Sequence, residues 1–325
     1  MKTKVEHIAA DIEAKIQAKV LKFGDLLPSL SLVQTRYQVS RDTANRAYRN
    51  LKSRGIIESR KGRGYCVANT EAGRILNIFV LLDELSEYKN TLITSFANTL
   101  HKKNSYTLFF HHYNVALFEQ LIKHSLGNYT HYLISPIPNA AHLDKVLKRI
   151  PQHQLMFIDR RDTQTLTPRY VGQAYQQDIQ DSLLELKPAL QKYERFEFVF
   201  GASPYHPMEL KTGFIRFCEQ HAFKYKILLE RGDIHIKKGC AYLIIDDAIL
   251  AFVVKQAKRL SLRIGEDIGI VSYNETCLKS VIANGITTIS SDFEHMGKTL
   301  ACVLQDSSFP EDVHNPMKVL KRNSL

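Results

Sequence analysis

From residue 75 onward the chain alternates short apolar runs with amphipathic segments. Nine runs have the length and composition of strands, and seven segments have helical spacing. This alternation predicts an α/β architecture of parallel sheets with helices on both faces, arranged as one large sheet or as two lobes. The predicted strands are Ile75–Leu82, Tyr106–His111, Tyr132–Ile137, Leu155–Ile158, Phe196–Phe200, Tyr225–Leu229, Tyr242–Ile245, Ile268–Ser272 and Met317–Leu320. The predicted helices are Tyr88–Lys103, Val115–Leu126, Leu143–Ile150, Asp178–Tyr193, Met208–His221, Ala248–Leu260 and Phe293–Leu304.

The first 67 residues follow a different pattern, with three short helical segments and then two strands. An apolar stripe from Val5 to Val20 recurs at helical spacing and predicts a first helix with one face toward a core. Ser29 and Ser40 have the residue type and position of N-caps for a second and a third helix, and Gly55 ends the third. Two strands, 56–59 and 65–67, flank a basic turn. These elements predict a winged helix-turn-helix.

Positive charge is concentrated in this segment. Residues 1–67 hold 14 Lys and Arg and 6 Asp and Glu, a net charge of +8 out of +11 for all 325 residues. Concentrated positive charge favours a polyanionic partner, because neutralised phosphates release counterions.

The third helix and the basic turn carry residue types suited to DNA. A helix fits the major groove, and its N-terminal residues reach base edges. The Arg41 guanidinium can form a bidentate hydrogen bond with guanine. Thr43 and Asn45 can contact base edges or phosphates. On the turn, Lys61 and Arg63 can grip the backbone or a minor groove. The alternative is a solvated basic face on a small helical domain, which the ordered combination of helices and basic hairpin disfavours.

This segment resembles the DNA-binding domain of the GntR family. The resemblance is carried by Gly24-Asp25-x-Leu27-Pro28-Ser29, Val39-Ser40-Arg41-Asp42-Thr43, Ala47-Tyr48-x-x-Leu51, Gly55-Ile56-Ile57 and Gly62-Arg63-Gly64-Tyr65. It implies a homodimer on a palindromic operator. The family often has Arg or Asn at the position of Ser31 and Arg at that of Asn45, so the operator sequence stays open. We predict that the DNA contacts come from Ser31, Arg36, Ser40, Arg41, Asp42, Thr43, Asn45, Arg46, Arg49, Lys61, Gly62 and Arg63.

The predicted domains are a winged helix-turn-helix over residues 1–69, a polar linker over 70–75 and a two-lobed domain over 76–325. Ligands bind parallel sheets beyond the carboxyl ends of the strands. Polar residues that follow predicted strands are therefore candidates for a ligand site: Asp83, Ser135, Asp159, Arg160, Asp246, Asp247, Asn274 and Glu275.

Each candidate also has a structural alternative. Asp246 has the position of a helix cap, and Asp159 with Arg160 has the composition of an ion pair. Asn274 suits a turn, and Tyr88 suits helix packing.

A second resemblance, to LacI-type effector domains, is strong from residue 242 to the end and weaker over 75–200. It is carried by Asp246-Asp247, the run 262–276, Thr287-Thr288-Ile289, Asp292-Phe293-x-x-Met296-Gly297, the closing run 318–324 and Phe157-Ile158-Asp159-Arg160. It implies a periplasmic-binding-protein type I fold, with lobe 1 at about 76–160 and 289–310 and lobe 2 at about 161–288 and 311–325. A winged helix of the GntR type joined to such a domain resembles arabinose-responsive repressors.

By this resemblance Asp83 and Tyr88 line a cleft from lobe 1, and Asp246 and Asn274 line it from lobe 2. Asp159 and Arg160 lie near the hinge, and Asp178 lies at the start of the first helix of lobe 2. With Ser135, these eight residues form the predicted ligand site.

The family grips sugar hydroxyls with an arginine where this chain has Leu210, and the chain has no Trp to stack on a sugar ring. A sugar or sugar derivative remains the predicted effector. The alternatives are another small molecule, or a degenerate cleft in a regulator that needs no effector.

Other functional classes lack their signatures. The five cysteines form no CxxC pair and the histidines have no ligand spacing, so neither a metal site nor a cofactor is predicted. No GxSxG, P-loop or GxGxxG motif indicates an enzyme. The absence of a signal-like or membrane-spanning run predicts a cytoplasmic protein, not an exported solute-binding protein. The sequence thus predicts a DNA-binding transcriptional regulator, most simply a repressor, controlled by a small molecule.

Overall fold

The computed structural model describes residues 3–60, 62–68, 75–161, 165–306, 310 and 312–325. The chain divides into two compact units. The first comprises residues 1–85 and 100–170, and the second comprises residues 86–99 and 171–325.

The first unit opens with three helices and a hairpin, as predicted. The helices are α1 (Lys4–Gln17), α2 (Leu30–Tyr37) and α3 (Arg41–Ser53), and the antiparallel strands are β1 (Ile57–Arg60) and β2 (Gly64–Val67). The side chains of Ser29 and Ser40 accept hydrogen bonds from the backbone N–H groups of Leu32 and Thr43, which confirms both predicted caps.

The predicted apolar stripe of α1 is too long. The helix ends at Gln17, Lys19 has a φ of 58°, and Val20 is 68% exposed. The stripe that is buried stops at Ile16. In the sequence, apolar residues keep helical spacing as far as Val20, whereas the backbone leaves the helix after Gln17.

A parallel sheet forms the rest of the first unit. Its strands are β3 (Asn77–Leu82), β4 (Ser105–Phe110), β5 (His131–Ile134) and β6 (Leu155–Asp159), and its helices are α5 (Val115–Ser125) and α6 (Asp144–Leu147). Within this unit the strand order is β6-β5-β3-β4. Two further short strands are β7 (Arg169–Gly172), which begins at the end of this unit, and β13 (Asp312–His314), which belongs to the second unit.

The second unit holds a six-stranded sheet with the strand order β14-β12-β11-β10-β8-β9. Its strands are β8 (Arg195–Val199), β9 (Tyr225–Leu228), β10 (Cys240–Ile244), β11 (Ile268–Tyr273), β12 (Thr287–Ser291) and β14 (Met317–Leu320). All neighbours are parallel except the edge strand β14, which is antiparallel to β12. The helices of this unit are α4 (Glu87–Thr99), α7 (Tyr175–Leu190), α8 (Met208–Gln220), α9 (Asp247–Arg259) and α10 (Phe293–Gln305).

The sequence pattern did not predict three of the described strands, β7, β12 and β13. Strand β12 reads Thr-Thr-Ile-Ser-Ser, yet all five residues are buried. Three of its four hydroxyls donate hydrogen bonds, such as that of Thr287 to the carbonyl oxygen of Arg322 at 3.1 Å. The buried Ser291 hydroxyl has no hydrogen-bond partner among the described residues. A polar strand of this kind gives no apolar run in the sequence.

Two glycines allow helices to approach closely. A Cβ at Gly297 of α10 would lie 2.3 Å from the carbonyl oxygen of Leu92 in α4. A Cβ at Gly213 of α8 would lie 2.3 Å from the Ile179 side chain of α7. In each pair the backbones are in contact because one residue has no side chain.

The predicted linker lies mostly outside the described residues, and the predicted domain and lobe boundaries stay predictions. Among the helices that the structure describes, none is long and apolar enough to cross a membrane.

Candidate functional site

The outer face of α3 presents unpaired cations. Arg41, Asp42 and Arg49 are exposed, and Asn45 is half-buried. Neither arginine has a carboxylate partner among the residues that the structure describes. Guanidinium groups without internal partners are available to phosphates and base edges.

Tyr48 holds this helix against the rest of the winged helix. Its side chain is fully buried, and its hydroxyl donates a hydrogen bond of 2.6 Å to the carbonyl oxygen of Pro28, just before α2. Its ring meets the ring of Tyr65 in β2 edge-on, with centroids 5.0 Å apart. One buried side chain therefore positions both the preceding turn and the hairpin relative to α3.

Two of the predicted DNA-contact residues have a structural role at the start of α3. The Ser40 hydroxyl accepts from the Thr43 N–H at 3.2 Å and lies 2.9 Å from the Thr43 hydroxyl. Both hydroxyls thus stabilise the helix end that carries Arg41. On α2, Ser31 and Arg36 are exposed, and the Arg36 guanidinium lies 5.9 Å from the centroid of the Tyr37 ring.

The turn of the hairpin is built on glycine. Gly62 and Gly64 have φ values of 77° and 91°, which other residues adopt only with strain. The Arg63 N–H donates to the carbonyl oxygen of Arg60 at 3.0 Å, and the Arg63 side chain is exposed. Lys61, also predicted to contact DNA, lies outside the described residues.

Arg46 lies on another face of α3. It lines a cavity together with residues of the sheet in the first unit, although its side chain is largely exposed. The structure therefore separates Arg46 from the ridge of Arg41, Asn45 and Arg49.

A buried histidine organises the carboxyl edge of the first sheet. His111 is fully buried, and its Nδ1 accepts the Tyr113 N–H at 3.1 Å. The ring proton therefore lies on Nε2, which donates to the carbonyl oxygen of Ser135 at 3.0 Å. Tyr113 in turn donates its hydroxyl to the Asp83 carboxylate at 3.2 Å. The structure thus links the predicted residues Asp83 and Ser135 through two residues that the sequence analysis did not select.

Asp159 is the last residue of β6, and Arg160 follows it in a tight turn. Asp159 is buried with a φ of 70°, and its carbonyl oxygen accepts the Tyr170 hydroxyl at 3.0 Å. A non-glycine residue at positive φ has a strained backbone, and such residues cluster at active sites and ligand-binding sites.

In the second unit, Asn274 directly follows β11 and has a φ of 60°. Its backbone N–H donates to the Ile289 carbonyl oxygen at 2.8 Å. Its side-chain Oδ1 is buried, and no hydrogen-bond partner for it is found in the part of the chain that the structure describes. A buried acceptor without a donor costs free energy, so Oδ1 is suited to a ligand that brings one.

Lys279 stabilises the turn that follows β11. It is 2% exposed, and its ammonium donates to the carbonyl oxygens of Tyr273 at 2.9 Å and Asn274 at 2.7 Å. It also pairs with the Asp247 carboxylate at 2.7 Å. Neither periodicity nor a motif marks Lys279 in the sequence, because its role depends on carbonyls that only the folded turn brings together.

The remaining predicted ligand residues have structural partners in the second unit. Asp246 caps α9, accepting from the Ile249 N–H at 2.9 Å. Asp178 accepts from the Ala174 N–H at 2.8 Å and pairs with His314 at 2.7 Å. Tyr88 packs on Phe293, with ring centroids 4.9 Å apart. These contacts match the structural alternatives for Asp246 and Tyr88, and ligand contact by all three residues stays a prediction.

No group of three or more His, Cys, Asp or Glu within the described ranges has the arrangement of a metal site. Leu210 stands where the resemblance led us to expect an arginine. Its side chain is buried in the apolar core of the second unit.

Comparison with known families assigns both parts of the chain. Residues 4–67 match the gntR family of bacterial regulatory proteins, and residues 189–324 match the periplasmic binding protein-like domain. The HTH-type transcriptional regulator KdgR of Bacillus subtilis (strain 168) is 32% identical over 90 residues, which is 26% of each chain. The match thus spans about a quarter of the length of that curated relative.

Solved structures share the fold at low identity. The Lac repressor dimer bound to operator and the anti-inducer ONPF has a TM-score of 0.62 at 16% identity, covering 78% of this chain and 95% of that one. The trehalose repressor from Escherichia coli has a TM-score of 0.63 at 13% identity, covering 75% and 99%. A periplasmic binding protein/LacI transcriptional regulator from Alkaliphilus metalliredigens QYMF, complexed with D-xylulofuranose, has a TM-score of 0.58 at 11% identity, covering 76% and 98%. The chain carries a gntR-family winged helix followed by a periplasmic binding protein-like domain with the fold of the LacI-type repressors.

Proposed function

We propose that this protein is a cytoplasmic DNA-binding transcriptional repressor whose operator affinity depends on a small-molecule effector. The observation that carries the proposal is the unpaired basic face of α3, held in place by Tyr48 within a gntR-family domain. The exposed Arg63 beside a glycine-built turn adds a second cationic contact.

The proposed effector is a sugar or sugar derivative, and each unit by itself has candidate acceptors at the carboxyl ends of its strands. The unpartnered Oδ1 of Asn274 and the carboxylate of Asp83 are acceptors for hydroxyl donors. The structure of similar fold that holds D-xylulofuranose supports this ligand class. Leu210 is in the core, so the proposed grip on hydroxyls comes from these edge residues.

The proposed assembly is a homodimer on a palindromic operator. In the second unit, Leu278 and Val281 are 65% and 70% exposed in the loop after β11. Large apolar side chains exposed this close together are suited to contact a second copy. A two-fold dimer would present two winged helices to two half-sites of one operator.

In this proposal the effector shifts the population between a state that binds the operator and one that does not. Its influence is limited by its differential affinity for the two states. A coupling of about 1–3 kcal/mol changes operator affinity by about 5–150-fold.

Operator selection tests the DNA proposal. The intact protein is used to enrich duplexes from a random library, and the selected sequence is then titrated with the Arg41→Ala variant. We expect a loss of about 1–3 kcal/mol and relaxed preference at one base position, as for a bidentate contact to guanine. Lys22→Ala is the matched control, since Lys22 is an exposed cation in the turn between α1 and α2. Failure to enrich any sequence, or equal losses for both variants, would contradict the proposal.

Thermal unfolding tests the effector proposal. The melting temperature is measured against sugars, sugar phosphates and sugar acids, because a ligand at about 100 times its Kd adds about 2.7 kcal/mol to stability. We expect one compound to raise the melting temperature and to change operator affinity. If no compound does so, an effector-independent regulator replaces this part of the proposal.

A further inference from the structure

A cavity of about 400 Å³ lies within the first unit, where the winged helix meets the sheet. It is lined on one side by α1 and α3. On the other side it is lined by Leu126, Gly127, Tyr132, Arg149, Pro151, His153 and Gln154. The Asn50 side-chain amide donates across it to the carbonyl oxygen of Gly127 at 3.4 Å. The two parts of the unit thus enclose a space here.

Two arginines line this junction, one from the winged helix and one from the part that carries the sheet. Arg46 comes from α3 and Arg149 from the segment after α6, and both line the cavity. Among the residues that the structure describes, neither forms an ion pair or a hydrogen bond from its side chain. Two unpaired guanidinium groups at one cavity attract an anion, and their planar forks match carboxylate and phosphate oxygens.

A third arginine is fixed at the wall with one donor unused. Arg54 pairs with Glu13 through both terminal nitrogens, one of them at 2.9 Å. Its Nε is buried and has no hydrogen-bond partner among the residues that the structure describes. Four cations line the cavity, and two carboxylates offset part of their charge. Glu13 neutralises Arg54, and Glu6 offsets one of Lys4, Arg46 and Arg149, so an excess of two positive charges remains.

The same wall also has an unused acceptor. Glu6 uses Oε2 to accept the Thr3 N–H at 2.8 Å in the cap of α1. Its Oε1 is buried and has no hydrogen-bond partner within the described ranges. The unused donor is Arg54 Nε, and the unused acceptor is Glu6 Oε1. Together with the guanidinium groups of Arg46 and Arg149, they are suited to bind a ligand that has both an anionic group and a hydroxyl.

We infer that this cavity is a second ligand site, separate from the sheet edges, for a small hydroxylated metabolite that carries a phosphate or a carboxylate. Arg46 and Arg149 bind the anionic group from opposite sides. Small shifts of Arg54 and Glu6 bring their unused atoms to the ligand's oxygen and hydroxyl. The bound ligand joins the winged helix to the sheet.

Occupancy has a consequence for DNA that rests on the proposed function, whereas the binding itself does not. Arg46 was predicted to contact DNA, and a guanidinium that holds a ligand anion is not available to a DNA phosphate. The ligand therefore lowers affinity for DNA by engaging a cation of α3 and by holding the helix against the sheet.

The test measures the melting temperature of the intact protein in inorganic phosphate, sodium gluconate and sorbitol, with ionic strength held constant by chloride. The two anions distinguish a phosphate from a carboxylate ligand, and sorbitol tests whether hydroxyls alone suffice. We expect a saturable rise in melting temperature with at least one anion and none with sorbitol.

Arg149→Ala is the decisive variant, because Arg149 is exposed and belongs neither to the winged helix nor to the sheet edges. We expect its half-saturating anion concentration to rise by about tenfold or more, as for the loss of a charge-assisted bidentate contact. Lys148→Ala removes a neighbouring exposed cation that does not line the cavity and should respond as the unaltered protein does. Equal responses of the two variants, no saturable rise with either anion, or an equal rise with sorbitol would overturn the inference. A gluconate response that survives in Arg149→Ala would place that ligand elsewhere and would also overturn it.

Discussion

The hydroxyl of Tyr48 donates a 2.6 Å hydrogen bond to the carbonyl oxygen of Pro28, 20 residues earlier in the chain. This bond joins the middle of α3 to the turn that begins α2. The angle at which α3 projects from the domain therefore depends on one buried phenol as well as on apolar packing.

Tyr48→Phe removes this bond and leaves the Pro28 carbonyl oxygen without its donor. We expect the free energy of unfolding to fall by about 1–2 kcal/mol, the cost of a lost buried hydrogen bond. Urea unfolding of the intact protein measures it. Tyr65→Phe is the control, because no hydrogen bond of the Tyr65 hydroxyl is found among the described residues. Equal stability of the two variants would show that the bond contributes little.

Gly297→Ala introduces a Cβ 2.3 Å from the carbonyl oxygen of Leu92. Alanine normally favours a helix over glycine, so any loss of stability reports the clash between α10 and α4. We expect a loss of about 1–3 kcal/mol in the second unit, measured by differential scanning calorimetry. Gly232→Ala is the control, since a Cβ there meets nothing within 4 Å. An unchanged melting temperature in Gly297→Ala would contradict the close approach of these helices.

Lys279→Met removes the ammonium that donates to the carbonyl oxygens of Tyr273 and Asn274. We expect a loss of about 2–3 kcal/mol, because both buried carbonyls lose a charged donor. Chemical denaturation measures the loss, and Lys258→Met, at an exposed position of α9, is the control. If Lys279→Met matches that control, the turn at Asn274 is held by its backbone alone.

His131 gives the stability of the first unit a pH dependence. Burial lowers its pKa from 6.5 to about 4, helped by the positive charges of His153, Arg54 and Arg169. Between these two pH values the unfolded chain binds a proton that the folded chain does not, so acidification favours unfolding. The contribution is complete above pH 6.5 and is lost as the pH falls toward about 4.

His131→Asn should therefore lose less stability than the unaltered protein between pH 7 and pH 5. Urea unfolding at both pH values measures the difference, and the exposed His235→Asn serves as the control. Identical pH dependence in all three proteins would show that His131 titrates normally.

Much of this protein follows from the order of its residues. Capping serines, a terminal glycine and helical spacing are local signals, so Ser29, Ser40 and the three helices of the winged helix were predictable. The same holds for the strand–helix alternation, because a strand buried on both faces must be apolar. The exposed ridge of Arg41 and Arg49 also follows from helical periodicity once α3 is recognised.

What the tertiary structure decided depends on partners that are distant in the chain. The sequence did not show that Tyr48 reaches Pro28 or that polar β12 is buried. It also did not show that Lys279 closes the turn at Asn274, or that Arg46 and Arg149 line the same cavity. Local patterns report which face of an element is apolar. They carry no information on which buried polar atoms find partners, since hydrogen bonds and charges act over a few ångströms between segments that only the fold brings together.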